Sequence, residues 1–242
     1  MQSDPALPAT LAAAAHGGTL CVVHGGGDEV SNLQRKLGLE PTFRGGRRVT
    51  SDADLEIVRM VLSGATNKRL TAQLISAGVD AVGVSGEDGG LFRAHITDPD
   101  MGRVGGSVTV NSAIIDALVA AGFVPVVSPL ARDADDAGGN GLNVNGDDAA
   151  AALAAALHAD DLVLVADVPG VLDGERLIEH LDQAGARLLV QRGIAKGGMA
   201  AKLDAAAHAL RGGVGCVRIA GLAGIGDMSA GTRITLDPSP AQ

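Results

Sequence analysis

The chain has 242 residues, of which 46% are hydrophobic and only 19% are charged, and this composition excludes a disordered protein. Its 28 acidic and 19 basic residues leave a net charge of −9, and it contains three Phe but no Tyr or Trp. Proteins that bind nucleic acids need a basic surface for phosphates and often aromatic rings for base stacking. We therefore expect no nucleic-acid partner.

The sequence also bears on the compartment. It lacks the run of about 18 apolar residues that a membrane-spanning helix requires, so no membrane association is expected. Residues 1–18 contain no Lys or Arg, which argues against a secretory signal. Cys21 and Cys216 are too few for a disulfide framework, and neither belongs to a metal-binding CxxC pair. We expect two small buried cysteines in a reducing, cytoplasmic location, and no metal site in the protein.

Helix and strand signals alternate along the chain, which is typical of a parallel sheet covered by helices. Apolar residues three or four positions apart predict helices at 5–16, 28–37, 52–77, 111–121, 146–158 and 198–212. Short aliphatic runs predict strands at 19–23, 81–84, 123–128, 162–166, 214–219 and 232–235. Residues 131–141 form the most polar loop and suit a flap or hairpin tip. The predicted fold class is an α/β sandwich with a mainly parallel sheet.

The first candidate site follows the first strand, where His24 precedes Gly25, Gly26 and Gly27. Glycines let the backbone approach an anion closely, and the helix that follows presents unpaired N–H groups. The segment matches neither a P-loop nor a dinucleotide-binding fingerprint. A tight strand-to-helix turn and an anion site both remain open, and a structural role for His24 is favoured over a catalytic one.

The second candidate site is the pair Arg47 and Arg48, just before a helix that Thr50, Ser51 or Asp52 would cap. A guanidinium at this position can hold a carboxylate through two parallel hydrogen bonds. The alternative is a pair of solvated surface arginines.

The third candidate site is the segment LNVNGDD, which opens the Ala-rich helix 146–158. Asn143 and Asn145 alternate and so point to the same side of a strand. Ligands of open α/β sheets bind at the carboxyl ends of strands, where these amides are expected. We expect Asp147 or Asp148 to cap the helix, which leaves both asparagines for a ligand.

The fourth candidate site is GGMAAK, in which Lys202 follows Gly197 and Gly198 within the first turns of a helix. A lysine there opposes the helix macrodipole, and a bound phosphate would relieve that conflict. The alternative is a lysine whose stem lies along the surface with its charge in water.

Together these segments resemble the amino-acid kinase family, and within it the branch that phosphorylates N-acetyl-L-glutamate. The matching stretches occur in the family's order and cover most of residues 19–236: VVHGGGDEV, GGRRVTSDADLEIVRMVLSGATNKRL, AVGVSGEDGGL, GFVPVVSPL, LNVNGDDAAAALAAAL, LVLVADVPGVL and GGMAAKLDAA. The resemblance implies one three-layer αβα domain over 1–242. Its approximate lobes would be 1–160 for acyl-substrate binding and dimerisation, and 161–242 for nucleotide binding.

The resemblance also implies a reaction, in which ATP with Mg²⁺ phosphorylates a substrate carboxylate to an acyl phosphate in arginine biosynthesis. Gly26 and Gly27 would contact N-acetyl-L-glutamate, Arg48 would hold its α-carboxylate, and Asn143 would bind the same substrate. Lys202 would neutralise charge on the transferring phosphoryl group, and Asp147 would orient the lysines around it. ATP would be bound by Asp167, Val168, Gly170, Val171, Leu172, Ile194, Ala195 and Lys196. These roles suit phosphoryl transfer, which depends on positioning and positive charge.

The chain departs from the family's pattern at its start, where the family has a strand bearing Lys-x-Gly-Gly. Only 23 residues precede His24, and the first lysine is Lys36. We expect that strand either upstream of Met1 in a longer reading frame or lost.

Two other functions stay open at this point. One is a kinase for aminoadipate or glutamate attached to an amino-group carrier protein, and the other is a catalytically silent ligand-binding homologue. The resemblance further implies a homodimer.

Overall fold

A computed structural model of the protein describes residues 4–136 and 138–236. The chain divides into two units, Gln2–Ala149 and Ala150–Gln242. No helix within the described residues is both long enough and apolar enough to cross a membrane.

The first unit contains a parallel three-stranded sheet in the order β1, β7, β4. These strands are β1 (Val22–Val23), β4 (Ala81–Ser85) and β7 (Val124–Ser128). The helices of the unit are α1 (Leu7–Gly17), α2 (Gly27–Lys36), α3 (Asp52–Arg59), α4 (Asn67–Ser76), α5 (Ala113–Ala120) and the start of α6 (Gly146–Ala156). Because all three strands are parallel, their carboxyl ends lie at one edge of the sheet, and His24 follows β1 there.

Four further strands of this unit close into a small barrel in the order β5, β6, β9, β8. They are β5 (Phe92–Ile96), β6 (Val104–Val110), β8 (Leu130–Asp133) and β9 (Gly141–Val144). A hairpin of β2 (Phe43–Arg44) and β3 (Arg47–Arg48) lies between α2 and α3 in sequence. Its turn residues Gly45 and Gly46 both have positive φ, which only glycine adopts readily.

The predicted helix 52–77 is one helical stretch with an unpredicted irregularity. Residues Met60–Thr66 form a π-helical segment between α3 and α4. Its Ser63 hydroxyl lies 3.1 Å from that of Ser85 and 2.7 Å from that of Ser128, at the ends of β4 and β7. Such segments are rare and often occur next to functional sites.

The second unit has a four-stranded mixed sheet in the order β10, β14, β15, β13, and a separate hairpin of β11 and β12. The strands are β10 (Asp161–Val165), β11 (Leu172–Asp173), β12 (Arg176–Leu177), β13 (His180–Asp182), β14 (Cys216–Ala220) and β15 (Thr232–Thr235), and the helices are α7 (Gln183–Gln191) and α8 (Gly198–Arg211). Its core is aliphatic and rich in alanine, as the near absence of aromatic residues requires.

These elements confirm the predicted α/β class. The strand predicted at 19–23 is shorter, since only Val22 and Val23 pair with β7. The polar loop 131–141 is the connection of a β8–β9 hairpin, with β8 extending to Asp133 and β9 beginning at Gly141. The barrel strands β5 and β6 and the helix α7 were not predicted.

Candidate active site

One pocket of about 200 Å³ lies in the first unit, a size that limits it to a small ligand. Its lining combines glycine backbone with a few polar side chains and an aliphatic wall. The polar members are Arg47, Arg48, Asn143 and Asn145, and the glycines are Gly25, Gly26, Gly27, Gly46 and Gly146. The structure therefore brings together the four residues expected to bind the acyl substrate, which are Gly26, Gly27, Arg48 and Asn143.

The glycine side of the pocket begins where β1 passes into α2. Gly26 has φ 148° and ψ 26° and precedes the first residue of the helix. A residue with a Cβ does not readily adopt this conformation, so the backbone can present N–H groups at the helix start only because glycine occupies the position.

His24 has a structural role at this turn. Its buried ring donates from Nδ1 to the carbonyl of Gly25 at 2.8 Å, and its Nε2 accepts from the Asn67 amide at 3.1 Å. Burial lowers the pKa of His24 below its usual 6.5, so the ring is neutral at pH 7. Asn67 also donates to the carbonyl of Val126 at 2.8 Å, which joins the start of α4 to the sheet.

Arg48 is buried, and its guanidinium is held from several sides. It donates to the Gln34 side-chain oxygen, to the Gly27 carbonyl at 2.7 Å and to the Ser31 hydroxyl at 2.8 Å. The ring of Phe43 lies 4.7 Å from the guanidinium carbon, a cation–π distance. Burial lowers the pKa of Arg48 below its usual value, but a guanidinium stays charged at pH 7.

Asn143 is held by Thr50, which the sequence suggested only as a possible helix cap. Its Nδ2 donates to the Thr50 hydroxyl at 3.0 Å, and that hydroxyl donates to the Arg48 carbonyl at 2.9 Å. Thr50 was one of three expected caps for the helix at 52. Of the three, Ser51 is the cap, and its hydroxyl accepts from the Asp54 N–H in a reciprocal capping box.

The start of α6 corrects a further expectation. Asn145, and neither Asp147 nor Asp148, caps the helix, because its Oδ1 accepts from the N–H groups of Asp147 and Asp148 at 2.8 and 3.3 Å. An amide oxygen can accept both donors, and this leaves the carboxylates for other partners. Asp148 forms an ion pair with Arg47 at 2.7 Å, so Arg47 is not a solvated surface arginine.

The residues expected to bind the nucleotide lie in the second unit. Asp167, Val168, Ile194 and Lys196 are exposed, while the side chains of Val171 and Ala195 belong to the aliphatic core. The Val171 N–H donates to the Thr232 hydroxyl at 2.8 Å, and its carbonyl accepts from Ile178 at 2.9 Å. The N–H and the carbonyl of Val171 therefore both form hydrogen bonds within the protein.

Gly170 stands where a larger residue would not fit, since a Cβ on it would lie 2.7 Å from the Thr232 hydroxyl. Lys202 is half-buried in the second turn of α8, which follows Gly197 at φ 52°. The roles predicted for these residues and for Asp147 stay predictions.

Three residues that support the pocket, Ser31, Gln34 and Thr50, are not among the site residues predicted from the sequence. Each is a buried polar residue within a helix or just before one, where a local pattern suggests a solvated or capping side chain. Burial of a polar group that must find a partner is the signal that identifies them, and this signal appears only in the folded chain.

Known proteins resemble this chain over most of its length. The profile of the amino acid kinase family matches residues 7–221. The chain belongs to the amino acid kinase family. It is 47% identical over 203 residues to an acetylglutamate kinase of Methanopyrus kandleri, covering 79% of this chain and 81% of the relative.

Two further proteins extend the likeness over nearly the whole chain. An acetylglutamate kinase of Chloroflexus aurantiacus is 43% identical over 237 residues, covering 96% of this chain and 92% of the relative. The crystal structure of smu.665 from Streptococcus mutans superposes with a TM-score of 0.86 at 28% identity, covering 97% of this chain and 93% of that one. The amino-acid kinase fold expected from the sequence is confirmed.

Proposed function

We propose that this chain transfers the γ-phosphoryl group of ATP to the side-chain carboxylate of N-acetyl-L-glutamate. The proposal rests on the pocket, in which hydrogen bonds from neighbouring residues fix the side chains of Arg48 and Asn143. It also rests on the close relatives of the chain, which are named acetylglutamate kinases. In this reaction a bond forms between a carboxylate oxygen and the γ-phosphorus. The bond from that phosphorus to the bridging oxygen breaks, and ADP leaves.

The pocket supports binding of the acyl substrate by its α-carboxylate. Arg48 is a buried, permanently charged fork, and charge-assisted hydrogen bonds from such a group to a carboxylate are short and strong. The contacts from Gln34, Ser31 and Gly27 fix the fork before a ligand arrives, which reduces the entropy lost on binding. The side-chain carboxylate then remains as the nucleophile.

The nucleotide and the catalytic roles follow the resemblance. Asp167, Val168, Gly170 to Leu172 and Ile194 to Lys196 bind ATP, Lys202 stabilises the negative charge that develops during transfer, and Asp147 orients the lysine. Within the described residues, no group of three or more His, Cys, Asp or Glu side chains could hold a metal ion. Mg²⁺ is proposed to arrive bound to the phosphates of ATP, the common mode for this ion.

The proposal also covers the cellular location and the oligomeric state of the protein. The relatives' name favours free N-acetyl-L-glutamate over a carrier-bound substrate and over a silent homologue. Cys21 and Cys216 are both unpaired, which suits the reducing cytoplasm. The homodimer implied by the resemblance predicts twice the 24.1 kDa chain mass in light scattering.

The test is to incubate the purified chain with ATP, Mg²⁺ and N-acetyl-L-glutamate and to trap the acyl phosphate with hydroxylamine. We expect a hydroxamate that requires both substrates, and none with N-acetyl-L-glutamine, which lacks the side-chain carboxylate. Replacing Lys202 by Met removes one charged donor and lowers kcat about 100- to 1,000-fold. The matched variant Lys36→Met, at an exposed position, keeps the wild-type rate. A chain that forms hydroxamate only from a carrier-bound substrate, or not at all, contradicts the proposal.

A further inference from the structure

Thr50 is a completely buried residue beside the pocket, and its hydroxyl joins the backbone of Arg48 to the side chain of Asn143, the two residues that the substrate is proposed to contact. Its backbone is clamped, since its N–H donates to Met101 at 3.0 Å and its carbonyl accepts from Arg103 at 2.6 Å. Gly102, at φ 69°, allows this close approach, because a Cβ there would lie 2.3 Å from the Thr50 carbonyl oxygen. The Thr50 hydroxyl is therefore held in one place.

The Thr50 hydroxyl determines which end of the Asn143 amide faces it. A hydroxyl has one hydrogen, and the Arg48 carbonyl, which can only accept, takes it at 2.9 Å. Thr50 must then accept from Asn143, so the atom that faces it at 3.0 Å is Nδ2. The acceptor Oδ1 is thereby placed on the other edge of the amide.

This acceptor has a counterpart in the ligand. Among the side chains that line the pocket, only Asn143 and Asn145 carry an amide oxygen, and that of Asn145 already caps α6. With both carboxyl groups ionised, N-acetyl-L-glutamate has a single hydrogen-bond donor, its N–H. The Oδ1 of Asn143 is the side-chain acceptor that can receive it.

We propose that the Thr50 hydroxyl is a specificity-determining positioning group, which makes the pocket select an N-acylated substrate through its N–H. The inference rests on the proposed function for the identity of the ligand. Thr50 touches no substrate itself and acts by fixing the amide of Asn143. Without the hydroxyl, the amide can turn over and present its NH₂ edge to the substrate.

The experiment compares N-acetyl-L-glutamate with its ester analogue (S)-2-acetoxyglutarate, in which an oxygen replaces the N–H. Binding to the full chain is measured by calorimetry, and phosphorylation by the hydroxamate assay. Sites built to bond a substrate N–H reject analogues that lack it, so we expect wild type to prefer the amide by about 100-fold or more. Thr50→Val is expected to reduce this preference to about 10-fold or less, whereas Thr50→Ser, which keeps the hydroxyl, preserves it.

The measured quantity is the ratio of the affinities for the amide and the ester. A substitution that only loosens the pocket weakens the binding of both ligands equally and leaves this ratio unchanged. Thr50→Ala provides the same test should Thr50→Val not fold. Equal binding of the two ligands by wild type, or an undiminished preference in the variants without the hydroxyl, overturns the inference. If wild type binds the amide selectively and the variants without the hydroxyl lose this preference, but no hydroxamate forms, the proposed function is contradicted and the role of Thr50 is supported.

Discussion

Gln34 shows how a single amide connects two charged groups at this site. Its oxygen accepts from Arg48, and its nitrogen donates to the Asp54 carboxylate at 2.5 Å. Only 1% of the residue is exposed, so a partner lost here is not replaced by water. The arginine fork is therefore oriented in part by a residue on a different element, 14 positions earlier in the chain.

Replacing Gln34 by Leu tests this orientation. The variant removes one partner of Arg48 without removing the guanidinium, so we expect the KM for N-acetyl-L-glutamate to rise about 10-fold with kcat nearly unchanged. Steady-state kinetics measures both constants. Asn32→Ala, at an exposed position on the same helix, is the control and keeps both constants. A Gln34→Leu variant that lowers kcat and leaves KM unchanged would place Gln34 in the chemical step instead.

At the scale of the element, the contact between Gly102 and Thr50 holds the connection before β6 against the segment that follows β3. Gly102→Ala combines a positive φ of 69° with a Cβ placed 2.3 Å from a backbone oxygen. We expect a loss of roughly 2–4 kcal/mol in the free energy of unfolding, measured in urea.

The matched control for this variant is Gly122→Ala. Gly122 also has positive φ, at 85°, but nothing lies within 4 Å of its Cβ position. That change adds only backbone strain, about 1–2 kcal/mol. Equal losses for the two variants would show that the close approach to Thr50 has no energetic consequence.

The capping box of α3 predicts a pH dependence. Burial raises the pKa of Asp54, but hydrogen bonds from Ser51 and Gln34 outweigh it, so the pKa is lowered below its usual 3.8. A carboxyl whose pKa is lower in the folded state stabilises the protein above the unfolded value and loses that contribution as the pH falls through the folded one.

We therefore expect wild type to lose stability as the pH falls below about 3.8, and Asp54→Asn to lose less over the same interval. Urea unfolding at a series of pH values measures this difference. Glu40→Gln, at an exposed position, is expected to retain the wild-type profile. Parallel profiles for wild type and Asp54→Asn would exclude Asp54 as a source of the acid sensitivity.

At the scale of the whole molecule, a ligand that binds only the folded chain must stabilise it. At 100 times its Kd, N-acetyl-L-glutamate is expected to add about 2.7 kcal/mol to the free energy of unfolding. Its α-methyl ester lacks the α-carboxylate and is expected to add little at the same concentration. Arg48→Lys keeps the charge but not the planar fork, so it should lose most of the effect. Stabilisation by the ester equal to that by the acid would argue against Arg48 as the carboxylate partner.

Much of the fold could be predicted because its helices and buried strands have regular local patterns. The period of 3.6 residues identified α3 and α4, and aliphatic runs identified β7 and β14. The barrel strand β6 was not predicted, because Gly105 and Gly106 interrupt the apolar pattern typical of a strand. The structure shows that a Cβ on Gly105 would lie 2.9 Å from Leu142, so close packing in the barrel requires glycine there.

The candidate site could be predicted only in part from the sequence. Gly26, Gly27, Arg48 and Asn143 follow from ordered motifs, and the fold does gather them in one pocket. The residues that orient them could not be predicted from local motifs, because the hydrogen-bond partners of Gln34 and Thr50 lie 14 and 93 positions later in the chain. The helix cap at Asn145 was assigned to the wrong residues because amides and carboxylates both suit that position.

The proposed function requires that this pocket holds the α-carboxylate of N-acetyl-L-glutamate and leaves the side-chain carboxylate for phosphorylation. A crystal structure of the chain with N-acetyl-L-glutamate and a non-hydrolysable ATP analogue tests it most directly. We expect the α-carboxylate within hydrogen-bond distance of Arg48 and the amide N–H facing Oδ1 of Asn143. A side-chain carboxylate on Arg48, or a ligand bound outside the pocket, would contradict it.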